Sequence, residues 1–310
     1  MAAGINKAVA NPLCGSLSPN SQKNMSSTGI ESSGLNLWIR ERRFEKRMRL
    51  ANEKYDAFVI SIPKSGRTWH RLMLGYYLTR TLASNPEHSL KLEDLCERSG
   101  IPLIAYSHNG TSFSDKLPPR SRVVASPEEW KNKKVMLLVR DNRDVLVSAY
   151  FHCRYREKSF DGSVSQYIRH PFVGIEKLLT ALNRWHQTKH LAKSFEVLTY
   201  EEMRANPIAA LRKTLLFAGV QNPVEAHLND AVEFTRIENL QKLEKSNFFG
   251  EIEMQNRSND PRARKVREGK IGGFREHLSQ DDLDFIAEKE AELTNPFSQI
   301  PVKSRYAENA

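Results

Sequence analysis

Short apolar segments alternate with amphipathic ones along the middle of the chain. Four of the apolar segments predict buried β-strands, at residues 56–62, 103–107, 135–139 and 195–199. Apolar residues then recur with a helical period, which predicts helices over residues 66–80, 142–155, 178–191 and 207–218. This alternation is typical of a doubly wound α/β fold with a parallel sheet flanked by helices, and the first strand–loop–helix unit makes it P-loop-like.

The two ends of the chain differ from this middle part. Residues 1–34 are rich in Ser, Asn and Gly, which predicts a flexible N-terminal tail, because so polar a segment cannot bury enough surface to order itself. Residues 35–50 are basic and predict a helix. We expect a single domain over residues 35–300, followed by a C-terminal tail at 301–310.

The chain is basic, and its charge lies in the predicted domain. The net charge is +10, of which residues 1–35 contribute only two lysines and one glutamate. Such a surface attracts anions: nucleic acid, acidic membrane or a phosphorylated small molecule. The three cysteines lack metal-ligand spacing, and no apolar segment resembles a secretory signal or a membrane span. We therefore expect a cytoplasmic protein without stable membrane insertion.

The loop after the first strand carries the first candidate chemistry. Its sequence is Pro-Lys-Ser-Gly-Arg-Thr at residues 63–68. A helix N-terminus with unpaired N–H groups, a glycine, a lysine and two hydroxyls suits a phosphate. The alternative is an ordinary helix cap, with Ser65 as the N-cap and Lys64 solvated. The triphosphate signature GxxxxGK[ST] is missing, because the lysine precedes the glycine.

Two further segments carry residues that could bind an anion. The third strand ends in Arg140, whose guanidinium fits phosphate oxygens, although Arg140 could instead pair with Asp144. Residues 267–275 interrupt basic residues with glycines, which favours a loop over an anion; the alternative is a flexible surface loop. His108 ends the second strand on the same predicted rim, where a neutral imidazole suits proton abstraction. His70, His152 and His170 are weaker candidates.

These motifs, taken in order over residues 55–295, resemble the sulfotransferases that use 3′-phosphoadenosine 5′-phosphosulfate (PAPS). The loop PKSGRTW is similar to the family's PKSGTTW-type loop, and Arg140 and Ser148 stand at the spacing of its R-x7-S element. Arg267 and Gly269 match its RKGxxGxW segment, and Ser107 and His108 match its K-[ST]-H element. Two looser matches are Tyr200, in a segment similar to YEDM, and Thr235.

The resemblance implies a role for each matching residue. Lys64 would stabilise the leaving phosphate oxygen, and His108 would remove the acceptor's proton. The 5′-phosphate would bind to Lys64, Ser65, Gly66, Arg67 and Thr68. The adenine would contact Trp69, Tyr200 and Thr235. The 3′-phosphate would bind to Arg140, Ser148, Arg267 and Gly269. The chain departs from the family pattern at four positions: Arg67, Tyr106, Glu268 and Phe274.

The expected function is transfer of a sulfonate from PAPS to a hydroxyl or amine of a small-molecule acceptor such as a secondary metabolite, without metal or nucleic acid. The alternatives are an inactive PAPS-binding relative, a nucleotide-dependent kinase, or a basic module for RNA or anionic lipid, for which residues 38–49 are the candidate segment. We expect acceptor specificity to come from residues 109–125, 154–175 and 245–266. The sequence leaves a homo-oligomer open.

Overall fold

The core of the structure is a four-stranded parallel sheet with helices on both faces. The computed structural model describes residues 53–108, 130–251, 254–255 and 258–297, together with Arg42, Lys46, Arg49 and Leu50. Its strands are β1 (Ala57–Ser61), β2 (Ile104–Ser107), β3 (Lys134–Val139) and β4 (Ser194–Thr199). Their order is β2-β1-β3-β4, and every pairing is parallel. The predicted doubly wound α/β class is confirmed.

Helices connect the strands and continue after the last one. Those on the way to β4 are α1 (Arg67–Thr81), α2 (Leu92–Ser99), α3 (Asn142–Phe151), α4 (Val164–Arg169) and α5 (Ile175–Thr188). Those after β4 are α6 (Tyr200–Ala205), α7 (Pro207–Phe217), α8 (Glu225–Phe234), α9 (Ile237–Lys245) and α10 (Gln280–Leu293). None of these helices is both long and apolar enough to cross a bilayer.

Alternate strand residues face two separate cores, as the two-residue period of a strand requires. Phe58 and Leu137 belong to the core that α3, α4, α5 and α10 cover. Val59 and Met136 belong to the core that α1, α2, α7 and α8 cover. Because both faces of β1 and β3 are buried, these strands are largely apolar rather than alternating, whereas the edge strand β4 exposes Glu196.

Two predicted helices have different bounds in the structure. The helix expected over 142–155 ends as α3 at Phe151 and continues as a π-helical turn, His152–Arg156. In that turn the Glu157 N–H donates to the His152 carbonyl at 2.9 Å, a bond that spans five residues. The helix expected over 178–191 is α5, which begins at Ile175, directly after Gly174, and ends at Thr188.

Several expectations lie outside the described residues. These are the two tails, at 1–34 and 301–310, and most of the basic helix at 35–50, of which Arg42, Lys46, Arg49 and Leu50 are helical. The first specificity loop, at 109–125, lies outside them as well. The limits of the expected domain at 35 and 300 therefore stay a prediction.

The carboxyl ends of all four strands meet at one edge of the sheet. β2 lies on one side of β1, and β3 and then β4 lie on its other side. The direction in which successive strands are added to the sheet therefore reverses between β1 and β3. Ligands of open α/β sheets bind in the crevice at such a reversal. The loop that contains Lys64 follows β1, and Arg140 follows β3, so both candidate anion-binding segments lie at this crevice.

Candidate active site

The loop after β1 has the shape of an anion cradle. Lys64 and Gly66 both have left-handed backbone, with φ of 74° and 89°. Helix α1 begins at Arg67 with Gly66 as its N-cap and without a side-chain cap. A side chain at Gly66 would clash, since a Cβ there would lie 2.8 Å from the Tyr200 ring. The glycine therefore lets Tyr200 pack directly against the loop.

Ser65 is not the helix cap that the alternative interpretation required. Its side chain is fully buried, and its Oγ has no hydrogen-bond partner among the described residues. Buried hydroxyls are normally paired, since an unpaired one costs about 1–3 kcal/mol. An unsatisfied Oγ beside the N-terminus of α1 is explained if a ligand accepts its proton.

The Lys64 ammonium lies in a buried, positively charged environment. Burial lowers its pKa to about 7, and the nearby charges of Lys265, Arg156 and Arg267 add to that effect. A phosphate at the cradle would raise the pKa again, because an opposite charge favours the ammonium. The site is therefore organised to receive negative charge.

Arg140 joins the β1 and β3 loops. Its guanidinium donates to the Lys64 carbonyl at 3.3 Å and to the Lys270 carbonyl at 2.8 Å. It lies 4.2 Å above the Tyr200 ring and 3.5 Å from the Asp144 carboxylate. Its buried Nε has no partner among the described residues. The pairing with Asp144 is thus present, and an unsatisfied donor remains.

Asp144 holds the glycine-rich loop near the C-terminus over the same crevice. Its carboxylate accepts the backbone N–H of Gly272 at 2.8 Å and that of Phe274 at 3.1 Å. The Tyr200 hydroxyl donates to the Gly269 carbonyl at 3.1 Å. A Cβ at Gly269 would lie 2.8 Å from the Ile237 side chain. The loop is therefore fixed in place rather than free on the surface.

The departures from the family pattern in this loop have structural explanations. Glu268 is exposed and forms an ion pair with Lys270 at 3.2 Å, so its charge is partly balanced. Phe274 is buried, and the guanidiniums of Arg143 and Arg275 lie 4.2 and 4.7 Å from its ring centre. Arg267 lies 3.8 Å over the Phe151 ring.

Two of the three predicted adenine contacts, Trp69 and Tyr200, lie together beside the cradle. The Trp69 and Tyr200 rings are 5.9 Å apart, edge to face, and Arg204 lies 5.8 Å from the Trp69 ring. Thr235 is buried at the end of α8, where its hydroxyl donates to the Ala231 carbonyl at 2.7 Å. Only the lone pairs of the Thr235 oxygen are therefore available to a ligand.

Three other predicted donor-binding residues lie in the first two turns of helices α1 and α3. Arg67 and Thr68 are half-buried in the first turn of α1. Ser148 is half-buried in the second turn of α3. All three lie on helices that start at the crevice.

The ring of His108 is held by Ser61, at the end of β1. Its Nδ1 lies 2.8 Å from both the carbonyl oxygen and the Oγ of Ser61. A carbonyl can only accept, so the ring proton is on Nδ1 and Nε2 carries the free lone pair. Burial, reinforced by the charge of Arg67, holds the pKa of His108 well below its ordinary value. The imidazole is therefore neutral at pH 7.

Tyr106 does not lie in the site. Its hydroxyl is 2.7 Å from the His70 Nδ1, and the His70 Nε2 is 2.8 Å from the Thr214 hydroxyl. Thr214 donates to the Ala210 carbonyl, so the protons run from Tyr106 to His70 to Thr214. Burial lowers the pKa of His70 to about 3. The departure at position 106 is thus a core contact, and His70 is a neutral core histidine.

The family of this chain follows from a match to a known protein domain. The model of the sulfotransferase domain family matches residues 54–293. The chain belongs to the sulfotransferase family. It is therefore an enzyme that transfers sulfonate groups, and the family named on its sequence motifs is confirmed.

Curated relatives of this sulfotransferase come from plants. Cytosolic sulfotransferase 3 of Arabidopsis thaliana is 24% identical over 239 residues, which cover 73% of this chain and 72% of the relative. Flavonol 3-sulfotransferase of Flaveria bidentis is 24% identical over 261 residues, or 74% of this chain and 79% of the relative. Among solved structures, retinol dehydratase in complex with androsterone and PAP has a TM-score of 0.54 at 16% identity, over 81% of this chain and 85% of its own.

Some residues of the sulfotransferase site were missed from sequence. Ser61 orients His108, and nothing in the strand sequence indicates it. Lys265 acts electrostatically on both Lys64 and His108. The basic run at residues 262–270 is the sequence signal that indicates Lys265.

Proposed function

We propose that this sulfotransferase takes the sulfonate of PAPS, transfers it to a hydroxyl or amine of a small-molecule acceptor, and releases adenosine 3′,5′-bisphosphate (PAP). Support comes from two structural neighbours with TM-scores of 0.54, which are retinol dehydratase complexes described as containing PAP. The observation that carries the proposal is the joining of two anion-binding loops by Arg140 at the reversal between β1 and β3.

The residues present fit a doubly phosphorylated adenosine. Two buried polar atoms, Ser65 Oγ and Arg140 Nε, lack partners among the described residues and lie in the loops after β1 and β3. We therefore assign the 5′-phosphate to residues 64–68.

The remaining donor contacts follow from the same crevice. We assign the 3′-phosphate to four residues, on the loop after β3, on α3 and on the C-terminal loop: Arg140, Ser148, Arg267 and Gly269. We assign the adenine to the aromatic pair beside the cradle, Trp69 and Tyr200, and to Thr235. The donor supplies an activated sulfonate whose leaving group is a phosphate oxygen.

The chemistry assigned to the protein is proton removal and charge stabilisation. His108 Nε2 accepts the proton that the acceptor oxygen or nitrogen loses as it bonds to sulfur. The bond from sulfur to the bridging phosphate oxygen breaks, and its electron pair stays on that oxygen. Lys64 and the N-terminus of α1 stabilise this charge, and such preorganised stabilisation is usually the largest catalytic contribution.

The acceptor class and the compartment follow the relatives by analogy. One relative is named for a flavonol, which supports a small organic acceptor with a hydroxyl group. Two relatives are named cytosolic sulfotransferases, which supports a cytoplasmic enzyme. Fractionation of the native source cells tests the compartment.

Calorimetric titration with PAP, compared with ATP, tests the donor assignment before any acceptor is known. We expect PAP to bind at least tenfold more tightly than ATP, because only PAP places phosphates in both loops. Arg140→Ala should weaken PAP binding. His190→Ala should not, because His190 is exposed and precedes the amino end of β4, opposite the crevice at the carboxyl ends. If PAP binds no better than ATP, or if RNA binds while PAP does not, the proposed function is wrong. PAP binding without turnover of any acceptor would instead indicate an inactive relative.

A further inference from the structure

One face of helix α9 holds the main chain that leads into the C-terminal glycine-rich loop. Gln241 and Glu244 are three residues apart, so their side chains lie on the same face of the helix. Glu244 accepts the backbone N–H of Lys265 at 2.7 Å and that of Val266 at 2.9 Å. The Gln241 side-chain amide donates to the carbonyls of Arg267 and, at 3.4 Å, of Val266. These two side chains, here called the α9 clamp, thus bind three consecutive main-chain residues that end at Arg267.

A buried ion pair fixes Glu244 itself. Its carboxylate lies 3.3 Å from the Arg156 guanidinium, and both side chains are only 2% exposed. The same guanidinium donates to the Ala263 carbonyl at 3.1 Å and to the Gln255 carbonyl at 2.9 Å. Arg156 ends the π-helical turn that continues α3. The α9 clamp is therefore anchored to the end of α3, and supporting contacts of this kind hold a binding side chain at a defined place.

Arg267, where the α9 clamp ends, carries a guanidinium that is available to a ligand. It lies 3.8 Å over the ring of Phe151, the last residue of α3. Its neighbour Glu268 pairs with Lys270 instead, and no carboxylate among the described residues forms an ion pair with Arg267. A guanidinium stacked on a ring keeps the N–H donors of its edge for phosphate oxygens. The place of these donors is set by the ring on one side and by the main chain that α9 holds on the other.

The hydrogen bonds of the α9 clamp serve one phosphate-binding segment and not the other. In the part of the chain that the structure describes, they join the clamp to Arg156 and to residues 265–267, and none joins it to residues 64–68. Loss of the clamp should therefore disturb the segment that we assign to the 3′-phosphate. The segment that we assign to the 5′-phosphate should stay in place.

We propose that Gln241 and Glu244 are positioning residues for the donor's 3′-phosphate, because they hold the main chain from which Arg267 reaches that phosphate. This inference rests on the proposed function, which assigns Arg267 to the 3′-phosphate. The α9 clamp then determines a selectivity of the site. It favours an adenosine that is phosphorylated at both the 3′ and 5′ positions over one with a 5′-phosphate alone.

Adenosine 5′-monophosphate (AMP) differs from PAP by the 3′-phosphate, so calorimetry with the two nucleotides tests the α9 clamp. We expect Gln241→Met to weaken PAP binding about fivefold, which is part of the roughly tenfold loss expected when one charge-assisted hydrogen bond is removed. AMP affinity should stay within about twofold of wild type, because its assigned contacts lie away from the changed residue. Lys242→Met places the same side chain at an exposed position of α9 and should leave the ratio of the two affinities unchanged.

A double-mutant cycle separates positioning from general support of the fold. In Arg267→Met protein the 3′-phosphate has lost this partner, so adding Gln241→Met should change PAP affinity by less than about twofold. Glu244→Gln should show the same selective loss as Gln241→Met, since an amide offers one acceptor oxygen where the main chain uses two. Glu238→Gln, the same change at an exposed position of α9, is its matched control.

Each other outcome overturns the proposal. Equal loss of PAP and AMP binding would mean that the α9 clamp only supports the fold, and unchanged PAP binding would mean that other contacts position Arg267. Additive effects of Gln241→Met and Arg267→Met would mean that the clamp acts through another residue. Gln241→Met keeps the pair of Glu244 and Arg156, and should it still fold poorly, Gln241→Ala gives the same comparison. Wild-type protein that does not bind PAP would refute the proposed function itself, which separates the two failures.

Discussion

At the scale of the residue, Lys64 shows how burial prepares a side chain for a ligand. Its ammonium is desolvated and surrounded by like charge, so its pKa falls to about 7 in the free protein. An unfolded lysine keeps its proton up to a pKa of about 10.4. The charged form of Lys64 is therefore costly in the folded protein, and under the proposed function the donor's phosphate offsets that cost.

PAP affinity should fall as the pH rises through 7 toward 9. Free Lys64 loses its proton in this range, and PAP binding must then draw a proton from solution, whereas the phosphates themselves are already ionised above about pH 6. Calorimetry at several pH values, in buffers of different ionisation enthalpy, measures both effects. Arg140→Ala is the control, since its guanidinium does not titrate here and its loss should leave the slope intact. A flat profile in wild type would contradict the prediction.

Lys64→Met should stabilise the ligand-free protein at pH 7. A folded pKa below the unfolded one means that the unfolded chain binds more protons, so the penalty is complete below about pH 7 and fades as the pH rises toward 10.5. Removing it should raise Tm by roughly 2–4 °C for each kcal/mol recovered in a chain of this size. Thermal denaturation at pH 7 and pH 10 measures this, with Lys131→Met as an exposed control. A lower Tm for Lys64→Met would refute it.

His108→Ala should abolish most turnover and leave donor binding unchanged. Loss of a general base typically costs about 10²–10⁴-fold in rate, and the ring is oriented by Ser61, which is not among the residues that we assign to the donor. In wild type, kcat/KM should remain constant down to pH values well below 6.5, because the pKa of His108 is lowered by burial. His190→Ala provides the control. Wild-type turnover in His108→Ala would exclude it as the base.

At the scale of the element, Asp144 connects helix α3 with the C-terminal loop. Its carboxylate sits between Arg140 and the two loop amides of Gly272 and Phe274. One buried side chain thus sets the distance between two elements that lie far apart in the sequence.

Asp144→Asn should release the C-terminal loop and weaken PAP binding. Breaking a buried pair costs about 3–5 kcal/mol, because Arg140 is left uncompensated and the asparagine NH2 group cannot accept from one of the two loop amides. Hydrogen exchange should accelerate at Gly272 and Phe274, and calorimetry should show weaker PAP binding. Glu288→Gln, an exposed change on α10, is the matched control. Unchanged protection of both amides would show that the loop is held by other contacts.

At the scale of the whole molecule, the net charge of +10 acts on how fast an anion arrives. Long-range attraction raises association rates and is screened within about 8 Å at physiological salt. The association rate constant of PAP should therefore fall several-fold between 50 and 300 mM salt, while the dissociation rate changes less. Stopped-flow fluorescence of Trp69 measures both rates, and Trp69→Phe identifies the signal. Equal salt effects on the association and dissociation rates would contradict electrostatic attraction of PAP by the net charge.

The element pattern and the motifs were predictable from the sequence because they depend on local order. The buried strands β1 and β3 read as apolar runs, and four of the motifs lie at strand ends, as with Lys64 after β1 and Arg140 after β3. The glycine-rich segment at 267–275 follows no strand. The rule that parallel strands end at one edge then brought these motifs to a single crevice. The π-helical turn and the early start of α5 were missed, because both depend on packing rather than on the period of apolar residues.

By itself, the sequence determined the α/β class, the family and the rim on which the chemistry lies, since hydrophobic period and contiguous motifs are properties of neighbouring residues. Only the tertiary structure decided that Tyr106 faces His70 in the core, that Ser61 orients His108, and that Glu244 and Arg156 support Lys265. Those contacts join residues as many as 88 positions apart, as between Arg156 and Glu244, and no local sequence pattern predicts such pairings.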